Sequence, residues 1–286
     1  MSAPIWTPDP SAAAATNVGR FQAQHGIESF DELLARSIDD PAWFWGAVVE
    51  FLGIPFSTPY EQVLDTSKGV PWATWFTGGQ TNLAAICLDR WVATSPDAEA
   101  IRWEGEDGAV RVLTYAELDR HVDALAALLQ DRGVGVGDAV GIFLPMLVET
   151  VVAALAVAKL GAMFLPVFSG YGAEAIAVRL EDAGAKALLC ADGFYRRGKP
   201  VPMLATAREA IARVDTVDTL VVVPRLAPVE ADERDGVATL SWPEPTDEVV
   251  PTVAVDSEHP LFIAYTSGTT GKPKGSVHVH GGFTVK

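Results

Sequence analysis

Apolar and polar positions along this chain follow two alternating periods. At 139–144, 163–168, 187–190 and 220–223 the apolar residues run continuously, as strands buried on both faces require. Between these runs, helical spacing covers about 148–161, 174–182 and 204–214. Strands and helices in alternation predict an α/β fold, a mostly parallel sheet covered by helices on both faces. Just ahead of it, 101–103 and 110–113 flank Glu104-Gly105-Glu106-Asp107-Gly108 and predict a hairpin. Thr114 and Glu117 then form a capping box, and Leu118, Val122, Leu125, Ala126 and Leu129 recur on one helical face until Gly133.

The pattern is weaker at the N-terminus. Residues 1–26, with four alanines at 12–15 and Gly19, offer little to pack and predict a loosely ordered lead-in. Ser29 followed by Glu32 starts a short helix, and Pro41 opens a second through Trp43, Phe44, Trp45, Val48, Val49 and Leu52, stopped by Gly53 and Pro55. Residues 55–76 read as loop with aromatic anchors, among them Trp72, Trp75 and Phe76. The predicted organisation is therefore a lead-in at 1–26, a helical and aromatic-rich arm at 27–98 and an α/β subdomain at 99–223. A Pro- and acid-rich connection at 224–260 and the opening of a second sheet region at 261–286 complete it.

Charge narrows the chemistry. With 21 Lys plus Arg against 37 Asp plus Glu, the net charge of −16 argues against nucleic acid and anionic membranes as partners. A polyanionic small molecule must then be met by local basic clusters. Cys87 and Cys190 show no zinc or redox spacing and predict buried thiols in a reducing compartment. The most apolar stretch, 151–168, is broken by Lys159, Gly161 and Pro166, so no membrane span is predicted and the cytoplasm is the default location.

The stretch Tyr265-Thr266-Ser267-Gly268-Thr269-Thr270-Gly271-Lys272-Pro273-Lys274-Gly275 carries the strongest chemical signal. Glycines let the backbone bring N–H groups to an oxyanion, hydroxyls add donors, and lysine supplies a point charge. It is not a Walker A motif, because Pro273 follows Lys272 where a metal-binding hydroxyl would stand. Instead it resembles the signature loop of the adenylate-forming superfamily of acyl-CoA synthetases, peptide-synthetase adenylation domains and luciferases. The resemblance covers most of 28–286 and is closest to acetyl-CoA synthetase and its short-chain acyl relatives. Trp75-Phe76, Cys87-Leu88-Asp89-Arg90, Leu113-Thr114-Tyr115-Ala116-Glu117-Leu118 and Leu144-Pro145-Met146 carry it further. Val167-Phe168-Ser169-Gly170-Tyr171 stands where those enzymes usually have Val-Phe-Gly-Gly-Phe.

That resemblance assigns Thr266, Ser267, Gly268, Thr269, Thr270 and Gly271 to ATP phosphates, Lys274 to charge neutralisation or loop positioning, and Lys272 to a variable, solvated position. Asp192-Gly193-Phe194-Tyr195-Arg196-Arg197-Gly198-Lys199 puts three basic groups within four residues. On residue types alone it is a solvated turn or a phosphate site. By resemblance, Arg196 and Lys199 hold the nucleotide end of CoA with Gly170 nearby, lysine replacing the usual second arginine. His278 and His280 are either polar contacts near the acid pocket or structural.

The implied activity is AMP-forming acyl-CoA synthesis, an acid–thiol ligase reaction on a short-chain carboxylate such as acetate, with ATP, Mg²⁺ and CoA. A non-catalytic nucleotide-binding module and an enzyme loading a carrier-protein thiol are the alternatives. Neither a protein-held metal site nor a catalytic residue is predicted within the chain, because the family's catalytic lysine and acyl pocket fall after Lys286. A chain of this length is expected to be inactive alone and to self-associate through apolar surface left open.

Overall fold

The computed structural model describes Trp6, residues 8–266 and residues 273–284. It forms two compact units, one running to Ile54 and adding Tyr60–Thr77, the other comprising Pro55–Pro59 and Gly78–Thr284.

The first unit holds four helices, Pro10–Ala15, Asn17–His25, Phe30–Asp39 and Pro41–Leu52. Ser29 caps the third by accepting the Glu32 N–H at 3.1 Å, and Gly53 ends the fourth in a left-handed conformation, as the sequence predicts. The first two helices depart from the expected loose lead-in. Asp9 accepts the N–H groups of Ser11 and Ala12, Pro10 stands where a missing N–H costs nothing, and alanine is the best helix former. Thr16 then caps the second helix, whose Phe21 is buried against Trp43, Phe44 and Phe51. The stretch expected to be loop also contains an antiparallel pair, Gln62–Asp65 with Thr74–Thr77. Phe76 is fully buried, whereas Trp72, expected to be an anchor, is 72% exposed.

The second unit is built on one eight-stranded sheet. Its strands are β1 (Ala139–Phe143), β2 (Met163–Pro166), β3 (Ala185–Ala191) and β4 (Thr219–Val223), then β5 (Asp232–Arg234), β6 (Val237–Ser241), β7 (Pro260–Thr266) and β8 (Lys274–Val279). Their order is β5-β6-β4-β3-β1-β2-β7-β8. The six inner strands are parallel, and the two outer pairs, β5/β6 and β7/β8, are antiparallel. Steps β1 to β2 and β2 to β3 run in opposite directions, so right-handed crossovers put helices Val148–Lys159 and Ala173–Asp182 on opposite faces. Tyr115–Asp131 packs with the first and Leu204–Ile211 with the second. This is the mostly parallel, doubly covered sheet that the continuous apolar runs predict, and β1 and β4 are buried at every position.

Strands β5 and β6 lie in the stretch predicted to be mere connection. Their turn, Asp235-Gly236, has φ of 53° and 80°, the positive values a tight hairpin demands. An Asp-Gly pair beside Val237-Ala238-Thr239-Leu240 is a legible signal, masked by the charges of β5, and β6 joins the sheet by parallel pairing with β4. Cys190 is buried as expected, but Cys87 is exposed, because it occupies the outward side of a short helical turn at Ala85–Asp89.

Titratable groups are buried at the amino end of the sheet and its helical layer. Lys159, 3% exposed, lies 2.5 Å from Asp123, 3.2 Å from Asp119 and 3.9 Å from Asp89. Burial pushes the Asp123 carboxyl above its ordinary range. Burial opposes the charge on Lys159 too, but donation to Asp123 and the surrounding carboxylates raise its pKa on balance.

Candidate functional site: the carboxyl edge of the sheet

Five parallel strands, β1, β2, β3, β4 and β7, end at one edge, and the loops leaving them gather there. Strand order reverses around β1, so the crevice beyond β1 and β3 is a topological switch point, the place where open α/β sheets bind ligands. A cavity of about 410 Å³ opens there. Its walls come from the loops after β1, β2, β3 and β4 and from the predicted hairpin, now seen as Glu99–Glu104 paired with Val110–Thr114.

Arg196 lines this cavity. It sits on a second hairpin, Gly193–Arg196 with Lys199–Pro202. Arg197 and Gly198, with φ of 52° and 71°, form the two-residue tip, and Arg196 pairs directly with Lys199. Lys199 does not line the main cavity; it borders an outer cleft together with Arg196 and Arg197. Among the described residues none of these three cations is in an ion pair. The Gly198 N–H donates to the Glu106 carboxylate at 3.3 Å. Phe168 and Ser169 line the cavity and Gly170 lies behind them, where an added Cβ would stand 2.6 Å from the Phe168 ring.

Arg225 and Trp103 also line the cavity, and neither is marked by a motif. The Arg225 guanidinium lies over the indole of Trp103 at 5.2 Å, and Trp103 Nε1 donates to the Met146 carbonyl at 2.8 Å. The signal that finds Arg225 is topological: it stands two residues past β4, and residues just past parallel strands face the crevice.

The phosphate-loop residues Ser267, Gly268, Thr269, Thr270 and Gly271, and Lys272 with them, lie outside the described residues. Both ends of that stretch are described. Thr266 closes β7 and Lys274 opens β8, the two are register partners, and the Thr266 hydroxyl lies 3.5 Å from the Lys274 carbonyl. Because β7 runs parallel to β2, Thr266 emerges at the same edge as the cavity loops. Gly275 keeps the crossing close, since a Cβ there would meet Ile263 at 2.8 Å and the Tyr265 ring at 3.3 Å. The Tyr265 hydroxyl donates to Asp182 at 2.7 Å. Burial, that hydrogen bond and the Asp182 charge all raise its pKa.

The two histidines are placed apart. His278 stacks on Phe262, with ring centroids 4.3 Å apart and 3° between planes. His280 is fully buried after β8, at the amino end of the sheet, the end opposite Thr266. Its Nδ1 accepts the Leu83 N–H at 3.1 Å, which leaves the proton on Nε2 without a partner among the described residues. Burial, then the neighbouring His259, lower its pKa from 6.5 to about 4.

A mostly parallel eight-stranded sheet covered by helices, with its cavity at the carboxyl edge, defines an open α/β fold of the kind that places ligands at that edge. Residues 88–286 match the family model described as AMP-binding enzyme, and this chain belongs to that family. Residues 30–87 match the model of the acetyl-coenzyme A synthetase N-terminus. The chain is 44% identical over 261 residues to an acetyl-coenzyme A synthetase of Mycolicibacterium smegmatis, covering 89% of this chain and 27% of the relative. It is 40% identical over 285 residues to one from Deinococcus radiodurans, covering 97% of this chain and 42% of that protein. In structure it is similar to an acetoacetyl-CoA synthetase from Streptomyces lividans, with a TM-score of 0.90 and 34% identity over 99% of this chain and 44% of the other. The chain therefore spans less than half the length of these relatives. Among the described residues no helix is long and apolar enough to cross a membrane.

Proposed function

We propose that this chain supplies the ATP-phosphate segment and the nucleotide end of the CoA site in an AMP-forming acyl-CoA synthetase acting on a short-chain carboxylate such as acetate. The observation that carries this reading is the shared edge: the strand leading into Thr266 and the cavity walled by Arg196 open on the same side of one sheet.

In the first step a carboxylate oxygen attacks the α-phosphorus of ATP and pyrophosphate leaves. Residues 266–271 donate to the phosphate oxygens, and Lys274 neutralises charge or holds the loop. This is catalysis by positioning and electrostatics, with no covalent enzyme intermediate. In the second step the CoA sulfur attacks the acyl carbonyl carbon, the thiol proton is released and AMP departs. Arg196 meets the nucleotide end of CoA, Lys199 stands at the outer rim, and Gly170 keeps the Phe168 loop tight. Mg²⁺ is expected from the family, where bound to the nucleotide it would offset phosphate charge; among the described residues no cluster of three or more His, Cys, Asp or Glu is placed to hold a metal. A cytoplasmic setting accords with two free cysteines.

Calorimetric titration of this chain with CoA tests the second site. Losing a charge-assisted donor costs about 1.5–3 kcal/mol, so Arg196→Ala is expected to weaken CoA binding by roughly one to two decades. Unchanged affinity would remove Arg196 from the site. In a polypeptide carrying this chain and the further length of its relatives, trapping AMP and acyl thioester with and without CoA separates the alternatives. Thioester formation that requires free CoA supports the reading; a requirement for a carrier-protein thiol, or no adenylate at all, overturns it.

A further inference from the structure

We infer that Arg225 is the second guanidinium for the nucleotide end of CoA, completing with Arg196 a two-arginine clamp for a phosphate monoester, the 3′-phosphate of the ribose. This inference rests on the proposed CoA site and names a residue that the Arg196–Lys199 motif leaves out.

Three observations carry it. First, Arg196 and Arg225 line the same cavity, whereas Lys199 lines only the outer cleft. Second, the two arginines share one frame. Asp192 directly precedes the Gly193–Arg196 strand, and its carboxylate accepts the backbone N–H groups of Arg225, Leu226 and Ala227 at 2.7, 2.9 and 2.8 Å. Third, Arg225 is half-buried and its guanidinium rests on the face of Trp103, so ligand binding would cost little side-chain entropy.

The local charge explains why two forks are needed. Glu104, Glu106 and Asp107 line the same cavity and repel a dianion. One exposed arginine against three carboxylates leaves the site negative. Two guanidiniums chelate the three equivalent oxygens of a monoester from two sides, a geometry that lysine cannot reproduce.

The test is calorimetric titration of this chain with CoA and with 3′-dephospho-CoA, reading the ratio of the two affinities. In the parent chain CoA is expected to bind at least roughly tenfold more tightly. Arg225→Met should bring the ratio close to one, and Arg225→Lys should give an intermediate ratio, because charge without the fork is retained. A merely structural role for Arg225 would weaken both ligands equally and leave the ratio intact, which overturns the inference. A ratio that collapses in Lys199→Ala but survives in Arg225→Met also overturns it. If the parent binds neither ligand, or Arg196→Ala changes nothing, the underlying CoA reading fails together with this one.

Discussion

The two ends of the sheet spend charged residues in opposite ways. At the carboxyl edge Arg196, Arg197 and Lys199 are exposed, outside any ion pair among the described residues, and gathered on loops. Toward the amino end Lys159 is buried among Asp89, Asp119 and Asp123, and His280 is buried neutral against the Leu83 N–H. The cations at the first end have no carboxylate partner among the described residues, as the proposed anion site requires. The Lys159 charge at the second is already answered from within, so its removal is expected to disturb folding rather than recognition. Lysine and histidine in a sequence thus say little about role until topology assigns them to an end.

The sharpest way to break this contrast is at Lys159. Removing one partner of a buried ion cluster leaves uncompensated charge, typically a loss of about 3–5 kcal/mol. Urea unfolding of Lys159→Met at pH 7 should show a loss of that order, while Lys199→Ala should stay within about 0.5 kcal/mol of the parent. Equal, small effects from the two would abolish the distinction between the ends.

A second probe uses pH. His280 titrates at about 4 in the folded chain against an ordinary 6.5, so the unfolded chain binds the extra proton first. Stability from this residue is complete above pH 6.5 and is lost as pH falls toward 4. The gap of 2.5 units corresponds to about 3 kcal/mol at most. His280→Gln retains a side-chain acceptor for the Leu83 N–H and cannot titrate. Its stability should therefore decline less than the parent's between pH 6.5 and 4, a comparison that cancels the carboxylates common to both. Parallel curves would show that His280 does not control acid stability.

How much of this was legible depended on where the determinants lie. Strands at 139–143 and 219–223 are apolar at almost every position because both their faces are covered, so burial is written locally. Likewise Thr114 and Glu117 cap their helix through contacts three residues apart. Strand β6 was hidden because it joins the sheet by pairing with β4, and the helix Pro10–Ala15 because an alanine run looks uninformative until Asp9 and Pro10 are weighed. In the candidate site, Arg196 was visible as part of a basic cluster. Arg225 was not, since what makes it notable is its position past β4 and its link to Asp192, thirty-three residues earlier in the chain. His280 was open between two roles, and only the antiparallel return of β8 sets it at the far end from Thr266.

The smallest effect is expected at Tyr265, where stability and the candidate site meet. Its hydroxyl donates to Asp182 at the end of helix Ala173–Asp182, and its backbone is the last step before Thr266. The guanidinium of Arg179 lies 4.4 Å from the Tyr171 ring and 5.7 Å from the Tyr265 ring, so Tyr265→Phe keeps the aromatic packing and removes the hydroxyl's bond to Asp182 with its longer contact, 3.4 Å, to the Arg179 carbonyl. A hydrogen bond of this kind contributes about 0.5–1.5 kcal/mol net, and Asp182 can turn to water once the hydroxyl is gone. Unfolding in urea should therefore show a loss near 1 kcal/mol, well below that of Lys159→Met. Pyrophosphate titration supplies the functional half. If the bond serves to hold β7 at the mouth of the phosphate stretch, affinity for pyrophosphate should fall severalfold in Tyr265→Phe while affinity for CoA stays near that of the parent. A variant that loses stability but binds pyrophosphate like the parent would make the bond a structural one, and the division between the two ends would then run through the carboxyl edge itself.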